Sequence, residues 1–311
     1  MVSIVIVNWN SGPLLESCVR SLLRDTQDCE ILVVDNASGD ESLGFISSVP
    51  RQIAVIRNSE NLGFAAGNNQ GWRRSAGDLV LFLNPDTETL PGAVPCLVQT
   101  LLADRGIWAA GGRLIAPSGR IQAGFDVRAF PTTASLAAEL LLLDELWPRN
   151  PWTCRYRMSD RDLSSVMEVD QPAAACLLVR RSALERVGGF DERFYPAWFE
   201  DVDLCRRIRN EGGRIVYQPS ARFVHHGGSS LRHLPAEKFL EYYHTNQIRY
   251  FSKHHGCDAA RAVRRLIIAG MWLRTAASWL RPAFTGLSRA ASARAFLHVA
   301  RNLPASREVT E

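Results

Sequence analysis

Three carboxylates, Glu200, Asp201 and Asp203, stand together in the stretch V-G-G-F-D-E-R-F-Y-P-A-W-F-E-D-V-D-L-C-R-R. They open a segment of helical spacing whose buried face is marked by Leu204 and Ile208. Acids in a helix's first turn face its positive end, and Arg206, Arg207 and Arg209 suit the other end. Helix capping alone accounts for that much. The aromatic run immediately before the acids (Phe194, Tyr195, Trp198, Phe199) adds a second component. Apolar rings beside carboxylates make a partly dry platform, on which a sugar can stack while a carboxylate takes a proton.

A second set of polar residues recurs at the ends of short apolar runs: Asn8 and Asn10, Asp35 and Asn36, Asn84 and Asp86. One such cluster is ordinary turn chemistry; three on one edge suggest a pocket for a nucleotide. The segment Asn61 to Gly71, N-L-G-F-A-A-G-N-N-Q-G, is rich in small residues that allow close backbone approach and in amides that can bond sugar or phosphate. No G-x-G-x-x-G follows the first apolar run and no G-x-x-x-x-G-K-[ST] occurs, which argues against a dinucleotide dehydrogenase and a P-loop NTPase. A bound diphosphate then needs another counter-charge. A divalent Mg²⁺ or Mn²⁺ on Asp86 would supply it, with His225 or His226 as a second ligand because imidazole suits Mn²⁺ better than Mg²⁺.

The elements that must position these groups follow from periodicity. Ser3 to Val7, Ile31 to Val34, Ile53 to Ile56 and Leu79 to Leu83 are short apolar runs separated by helical patterns. They predict β-α-β-α-β-α-β, a doubly wound, mostly parallel sheet that binds ligands outside its carboxyl edge. Trp108 to Leu114, Ala174 to Val179 and Arg214 to Tyr217 are further strand candidates, Leu136 to Leu146 reads as one apolar helix, and Asn150 to Asp170 is polar and irregular. From Lys238 the pattern is helical. Tyr242, Tyr243, Tyr250 and Phe251 add an aromatic face, and on a wheel Ile268, Trp272, Ala276 and Trp279 lie opposite Arg274 and Arg281.

The 311 residues carry a net charge of +4, unevenly placed. Residues 259–311 hold nine Arg, no Lys and two Glu, so the positive excess belongs to the tail and the remainder is mildly acidic. That argues against a nucleic-acid-binding body and for a tail that meets an anionic membrane surface. Seven scattered cysteines without a C-x-x-C pair predict reduced thiols. With no signal-peptide pattern and no bilayer-length apolar run, the expectation is a cytoplasmic protein, peripheral on the inner face of the plasma membrane.

Taken in order, V-S-I-V-I-V-N-W-N, D-N-A-S-G-D, N-L-G-F-A-A-G-N-N-Q-G, L-F-L-N-P-D, F-E-D-V-D-L-C-R-R and V-H-H-G-G-S-S resemble the inverting glycosyltransferases of family 2, in their bacterial rhamnosyltransferase-like branch. The resemblance runs from Ser3 to about Ser230. It implies a GT-A type α/β domain over residues 1–235, with 236–311 as a helical, basic extension. It implies Asp35 at the nucleotide base with Asn8 beside it, Asn61, Gly63 and Asn69 along the donor, and Asn84 facing ribose or sugar. Asp86 and His225 would hold the metal and diphosphate. Asp201 would be the catalytic base with Glu200 beside it, and Trp198 and Asp203 would meet the acceptor. Asn84 stands where the family's Asp-x-Asp motif has its first aspartate, and the processive synthases' Gln-x-x-Arg-Trp is absent. The implied activity is single-sugar transfer from a nucleoside diphosphate sugar, dTDP-L-rhamnose or a UDP-sugar, to a glycan or polyprenyl-linked hydroxyl in cell-envelope polysaccharide synthesis. The rival readings are a sugar nucleotidyltransferase and a nucleotide-sugar-binding protein without turnover.

Overall fold

The structure is a computed structural model that describes residues 1–26, 28–49, 53–228, 234–278 and 288–305. These form two compact units: residues 1–130, 157–196 and 200–228 in one, and 131–156, 197–199, 234–278 and 288–305 in the other.

The first unit is built on a nine-stranded sheet. In chain order its strands are β1 (Val2–Asn8), β2 (Cys29–Asp35), β3 (Ala54–Arg57), β4 (Leu79–Leu83), β5 (Thr87–Thr89) and β6 (Ile107–Ile115). β7 (Val127–Arg128) and β9 (Gln171–Pro172) pair with each other in a small separate ribbon. β8 (Met167–Glu168), β10 (Cys176–Arg180) and β11 (Arg214–His225) complete the main sheet. The order is β3-β2-β1-β4-β10-β6-β11-β5, with β8 on β11. β1 to β4 pair in parallel, as predicted, and β6 with β11 likewise. β10 runs antiparallel between β4 and β6, and β5 antiparallel to β11.

Strand alternation sorts the core into two layers. Ile4, Ile6, Leu81 and Leu83 face helices α1 (Pro13–Asp25) and α3 (Ala93–Ala103). Val5, Val7, Val80 and Phe82 face α2 (Gly63–Arg74), and the same layer takes in α7 (Arg181–Val187) and α8 (Glu200–Asn210). The helix α2 lies unusually close to β1: a Cβ on Gly71 would meet Val5 Cγ1 at 2.2 Å, and one on Gly67 would meet Val7 Cγ1 at 2.9 Å. β11 is longer than the sequence predicts because an irregularity between Gln218 and Arg222 lets pairing resume on β6. Its far end, His225, pairs with Thr87 of β5.

The second unit is helical. The apolar stretch expected as one helix is two, α4 (Thr133–Leu140) and α5 (Leu143–Leu146), broken where Leu142 turns into the left-handed region at φ 60°. A Thr132–Ser135 capping box starts α4. In the stretch read as irregular, Asn150 Oδ1 accepts from Thr153 N and opens α6 (Pro151–Tyr156). The helical tail is α9 (Ala236–Ala277), interrupted at Gly256 (φ 83°), and α10 (Arg289–Asn302). α4 seats on α9 at Gly270, where a Cβ would lie 2.7 Å from the Leu140 carbonyl oxygen. Arg274 donates to the Leu140 carbonyl and, at 2.6 Å, to that of Glu139, so this cation caps a helix end. Arg264 does the same for α10 through Leu303 (3.1 Å) and Pro304 (2.8 Å). Tyr250 and Phe251 are buried, whereas Trp272 is 48% exposed. Trp279 and Arg281 of the predicted wheel, and Ser229 and Ser230 of the predicted turn, lie outside the described residues.

Candidate active site

The carboxyl edge of the parallel strands gathers most of the predicted polar groups in the first unit. At one end Asn8 finishes β1 and Asp35 finishes β2, in register with each other. Asn8 Nδ2 lies 2.8 Å from Asp35 Oδ1, 2.8 Å from Ser42 Oγ and 3.0 Å from Ser38 Oγ. Ser38 N also donates to Asp35 Oδ2. The carboxylate is therefore oriented by β1 and by the loop after β2. Asn10 belongs to the same cluster, its Oδ1 accepting from Gly39 N.

The Asn-rich segment has a structural task of its own. Asn69 is buried, and its amide is saturated within the protein. Nδ2 donates to the Phe190 carbonyl (2.9 Å) and to Glu192 (2.8 Å), and Oδ1 accepts from Phe190 N and Trp72 Nε1. Asn61 Oδ1 accepts from Gly63 N, opening α2. At Gly63 (φ 86°) a Cβ would meet the Pro196 carbonyl oxygen at 2.9 Å, and Phe64 N donates to that same oxygen at 2.7 Å. Asn61, Gly63 and Asn69, expected along the donor, also form a seat for the loop 189–196 that leads toward the three acids.

Those acids differ sharply in what they can do. Asp203 is fully buried and paired with Arg207 at 2.8 Å, whose remaining nitrogens hold the carbonyls of Val187 and Gly189. It cannot meet an acceptor, and its expected role there is corrected to anchoring. Glu200 is 5% exposed and its Oε2 has no hydrogen-bond partner. Burial, then the charges of Asp201 and Asp203, push its pKa well above the usual carboxylate range. Asp201 is half-buried. Its Oδ2 accepts from Gln171 Nε2 (3.1 Å) and Ala174 N (3.2 Å), and Oδ1 from Val202 N (2.8 Å). Burial raises its pKa, while those N–H groups and Arg128 favour the ionised form and limit the rise. Trp198 falls in the second unit, its ring edge-on to Phe239 at 4.9 Å and Tyr243 at 6.4 Å.

The proposed metal edge lies on the next strands. Asn84 follows β4, and its backbone N–H donates to the Ala175 carbonyl at 3.1 Å. Ala174, one residue earlier, grips Asp201. The short turn before β10 therefore holds Asn84 on one side and the acid on the other. The β5–β11 pairing brings His225 to Asp86: Nε2 is 3.5 Å from Oδ1, and both side chains are about 5% exposed. Imidazole nitrogen and carboxylate oxygen are a donor set that suits Mn²⁺. Asn84 Oδ1 is buried without a partner two residues away, as expected of a group whose partner is a ligand. The residues present fit a divalent ion completed by phosphate oxygens. Among the described residues no three His, Cys, Asp or Glu side chains cluster as a self-sufficient metal site. His226 turns to Glu88 instead, at 2.8 Å.

Sequence reasoning missed Gln171, Ala174 and Gln122. Gln122 Oε1 lies 2.8 Å from His225 Nδ1, and its Nε2 donates to the His225 carbonyl at 2.8 Å. Gln122 and Gln171 lie in stretches without clear periodicity, and a backbone N–H such as that of Ala174 has no sequence signature.

Residues 3–188 match the family described as Glycosyl transferase family 2. The N-acetylglucosaminyl-diphospho-decaprenol L-rhamnosyltransferase of Mycobacterium tuberculosis is 32% identical over 273 residues, 82% of this chain and 86% of that protein. Among solved structures, the mannosyltransferase PcManGT of Pyrobaculum calidifontis, in complex with GDP-Man and Mn²⁺, is similar with a TM-score of 0.54 at 16% identity, covering 99% of this chain and 77% of that one. GalNAc-T7, crystallised with UDP, GalNAc and Mn²⁺, gives a TM-score of 0.58 at 17% identity over 81% of this chain, which spans about half of that larger one (47%). The doubly wound sheet is thus the GT-A fold that the motifs implied, and the chain belongs to glycosyltransferase family 2 and is a glycosyltransferase.

Proposed function

We propose that the enzyme transfers one sugar, L-rhamnose from dTDP-L-rhamnose, to a hydroxyl of a polyprenyl-diphosphate-linked glycan, with inversion at the anomeric carbon. The observation that carries this reading is the turn at Ala174–Ala175, which holds Asp201 beside the Asn84–Asp86 edge. A candidate base at the start of α8, gripped by the turn before β10, and a candidate diphosphate edge after the neighbouring β4 are what an in-line displacement needs. The rhamnosyl donor and the lipid-linked acceptor rest on similarity to the mycobacterial rhamnosyltransferase.

In this mechanism Asp201 takes the acceptor's proton as that oxygen attacks. Burial raises its pKa, the direction that makes a carboxylate a stronger base, and the Gln171 and Ala174 donors fix its orientation. Glu200 beside it is buried, and its pKa is pushed well above the usual carboxylate range, which favours its neutral form. Asp35, held by Asn8, would receive the base and ribose. Asp86 and His225 would hold a divalent ion, which supplies counter-charge to the leaving diphosphate when bound. The catalytic body would span residues 1–235. Residues 236–311 would bring it to the inner membrane surface, where a lipid-linked acceptor resides. Among the described residues no helix is long and apolar enough to cross a membrane.

Asp201→Asn tests the assignment. It preserves side-chain shape, so dTDP should still raise the melting temperature as in wild type. Turnover should fall by roughly a thousandfold or more, within the range by which positioned bases accelerate reactions. Turnover near the wild-type rate would remove Asp201 from the role.

A further inference from the structure

We infer that Gln122 is a positioning residue that sets the tautomer of His225 and so makes it a metal ligand. This rests on the reading of Asp86 and His225 as the metal edge, and it extends that reading to a loop with no assigned role. Gln122 sits after β6, held by its own N–H to the Leu114 carbonyl (3.0 Å) and by its carbonyl, which accepts from Phe125 N and Asp126 N.

Its side chain grips a single residue twice. An amide has one donor end and one acceptor end, and the two contacts use them in one sense. The His225 carbonyl can only accept, so it takes Gln122 Nε2–H, at 2.8 Å. That fixes Gln122 Oε1 as the group facing His225 Nδ1, at 2.8 Å. An oxygen acceptor there requires Nδ1–H on the imidazole. In the neutral ring Nε2 then carries the lone pair, and Nε2 is the nitrogen turned to Asp86 Oδ1 at 3.5 Å. Two electron-pair donors face each other across a gap that a cation would bridge. Metal-bound histidines are typically fixed in this way, through a hydrogen bond on the other ring nitrogen. Phe125, stacked on the same imidazole at 5.2 Å and 6° between planes, holds the ring's rotation. The opposite tautomer would lose the Gln122 bond and aim an N–H at the site.

The test uses the full-length protein and two readouts. Long-range ¹⁵N–¹H correlation spectra, with the signal assigned by its loss in His225→Gln, report the tautomer without metal. Mn²⁺ binding in the presence of dTDP is followed by electron paramagnetic resonance. Wild type should show Nδ1–H. Gln122→Leu should lose that single tautomer and weaken Mn²⁺ binding about 10- to 100-fold, the usual cost of removing such a support. Gln122→Glu keeps an acceptor at Nδ1, and should retain the tautomer and bind Mn²⁺ within a few-fold of wild type. This conservative variant also controls for damage to the fold. If His225→Gln weakens Mn²⁺ binding but Gln122→Leu changes neither tautomer nor affinity, the inference about Gln122 is wrong and the metal reading stands. If His225→Gln itself leaves Mn²⁺ affinity unchanged, the metal reading fails and takes the inference with it. Nε2–H in the wild-type spectrum would overturn the proposal directly.

Discussion

At the scale of single residues, environment separates carboxylates that the sequence places side by side. Glu200, Asp201 and Asp203 are all acids in the sequence, yet one is buried with its pKa pushed up, one is half-buried and oriented, and one is locked to Arg207. Asp126 extends the point to a group outside the proposed mechanism. It is buried beneath Tyr217, whose hydroxyl lies 3.0 Å from its Oδ2, and burial raises its pKa to about 6. A carboxyl whose pKa is raised by folding binds its proton more tightly in the folded state than in the unfolded one. Its stabilising contribution is complete below about pH 4 and is lost as pH rises through about 6. Asp126→Asn keeps an acceptor for Tyr217 and cannot ionise, so it should flatten that part of the stability profile. The difference from wild type should be on the order of 2 kcal/mol across the window, read by urea unfolding at pH 4 and pH 7. Parallel profiles for the two proteins would show that Asp126 ionises no less easily in the folded protein than in the unfolded chain.

At the scale of elements, the site depends on how closely α2 approaches β1, because α2 seats the loop that leads toward the acids. Gly71 permits that approach. Alanine is the better helix former by about 1 kcal/mol, so on propensity alone Gly71→Ala should stabilise. With Val5 Cγ1 only 2.2 Å from the new Cβ, the backbone must shift, and overpacking of this kind costs about 1–3 kcal/mol. The net expectation is a melting temperature lowered by a few degrees, together with weaker donor binding as the 189–196 loop loosens. A melting temperature equal to or above wild type would mean that α2 sits farther from β1. This element also shows what the sequence can and cannot tell. Periodicity located β1, β2, β4, α2 and α8, since a strand buried on both faces must be continuously apolar. It could not distinguish an amide that meets a ligand from one that clasps a loop 121 residues away, as Asn69 does. Gln122 and Gln171 escaped for the same reason: their partners are set by tertiary register, and nothing local marks them. Asp35, Asp86 and His225 were legible because strand ends place them on one edge whatever the loops do.

At the scale of the whole molecule, the charge asymmetry gives the helical unit a physical task. Its arginines are used in different ways. Arg264 and Arg274 are committed to helix-end carbonyls and hold α10 and α4 in place. Arg265, Arg289 and Arg294 are exposed, on α9 and α10, and Trp272 is 48% exposed on α9. Exposed arginines and an exposed amphipathic aromatic on these helices are suited to an anionic lipid surface, each basic residue contributing about 1 kcal/mol when it lies close to the headgroups. Truncation at Ala259 would remove buried Val263, Ile267 and Met271, so it would test folding and membrane contact together. Reversing the exposed charges separates the two. The triple variant Arg265→Glu, Arg289→Glu, Arg294→Glu leaves both carbonyl-capping arginines intact and should melt close to wild type, since solvated surface changes are usually worth under about 0.5 kcal/mol each. Its binding to vesicles containing phosphatidylglycerol should fall tenfold or more at low salt, and the remaining binding should be less salt-sensitive. Vesicles of phosphatidylcholine alone should bind both proteins weakly and equally. If the variant binds anionic vesicles as wild type does, the basic unit is structural, and the proposed lipid-linked acceptor would have to be met by some other surface of the enzyme.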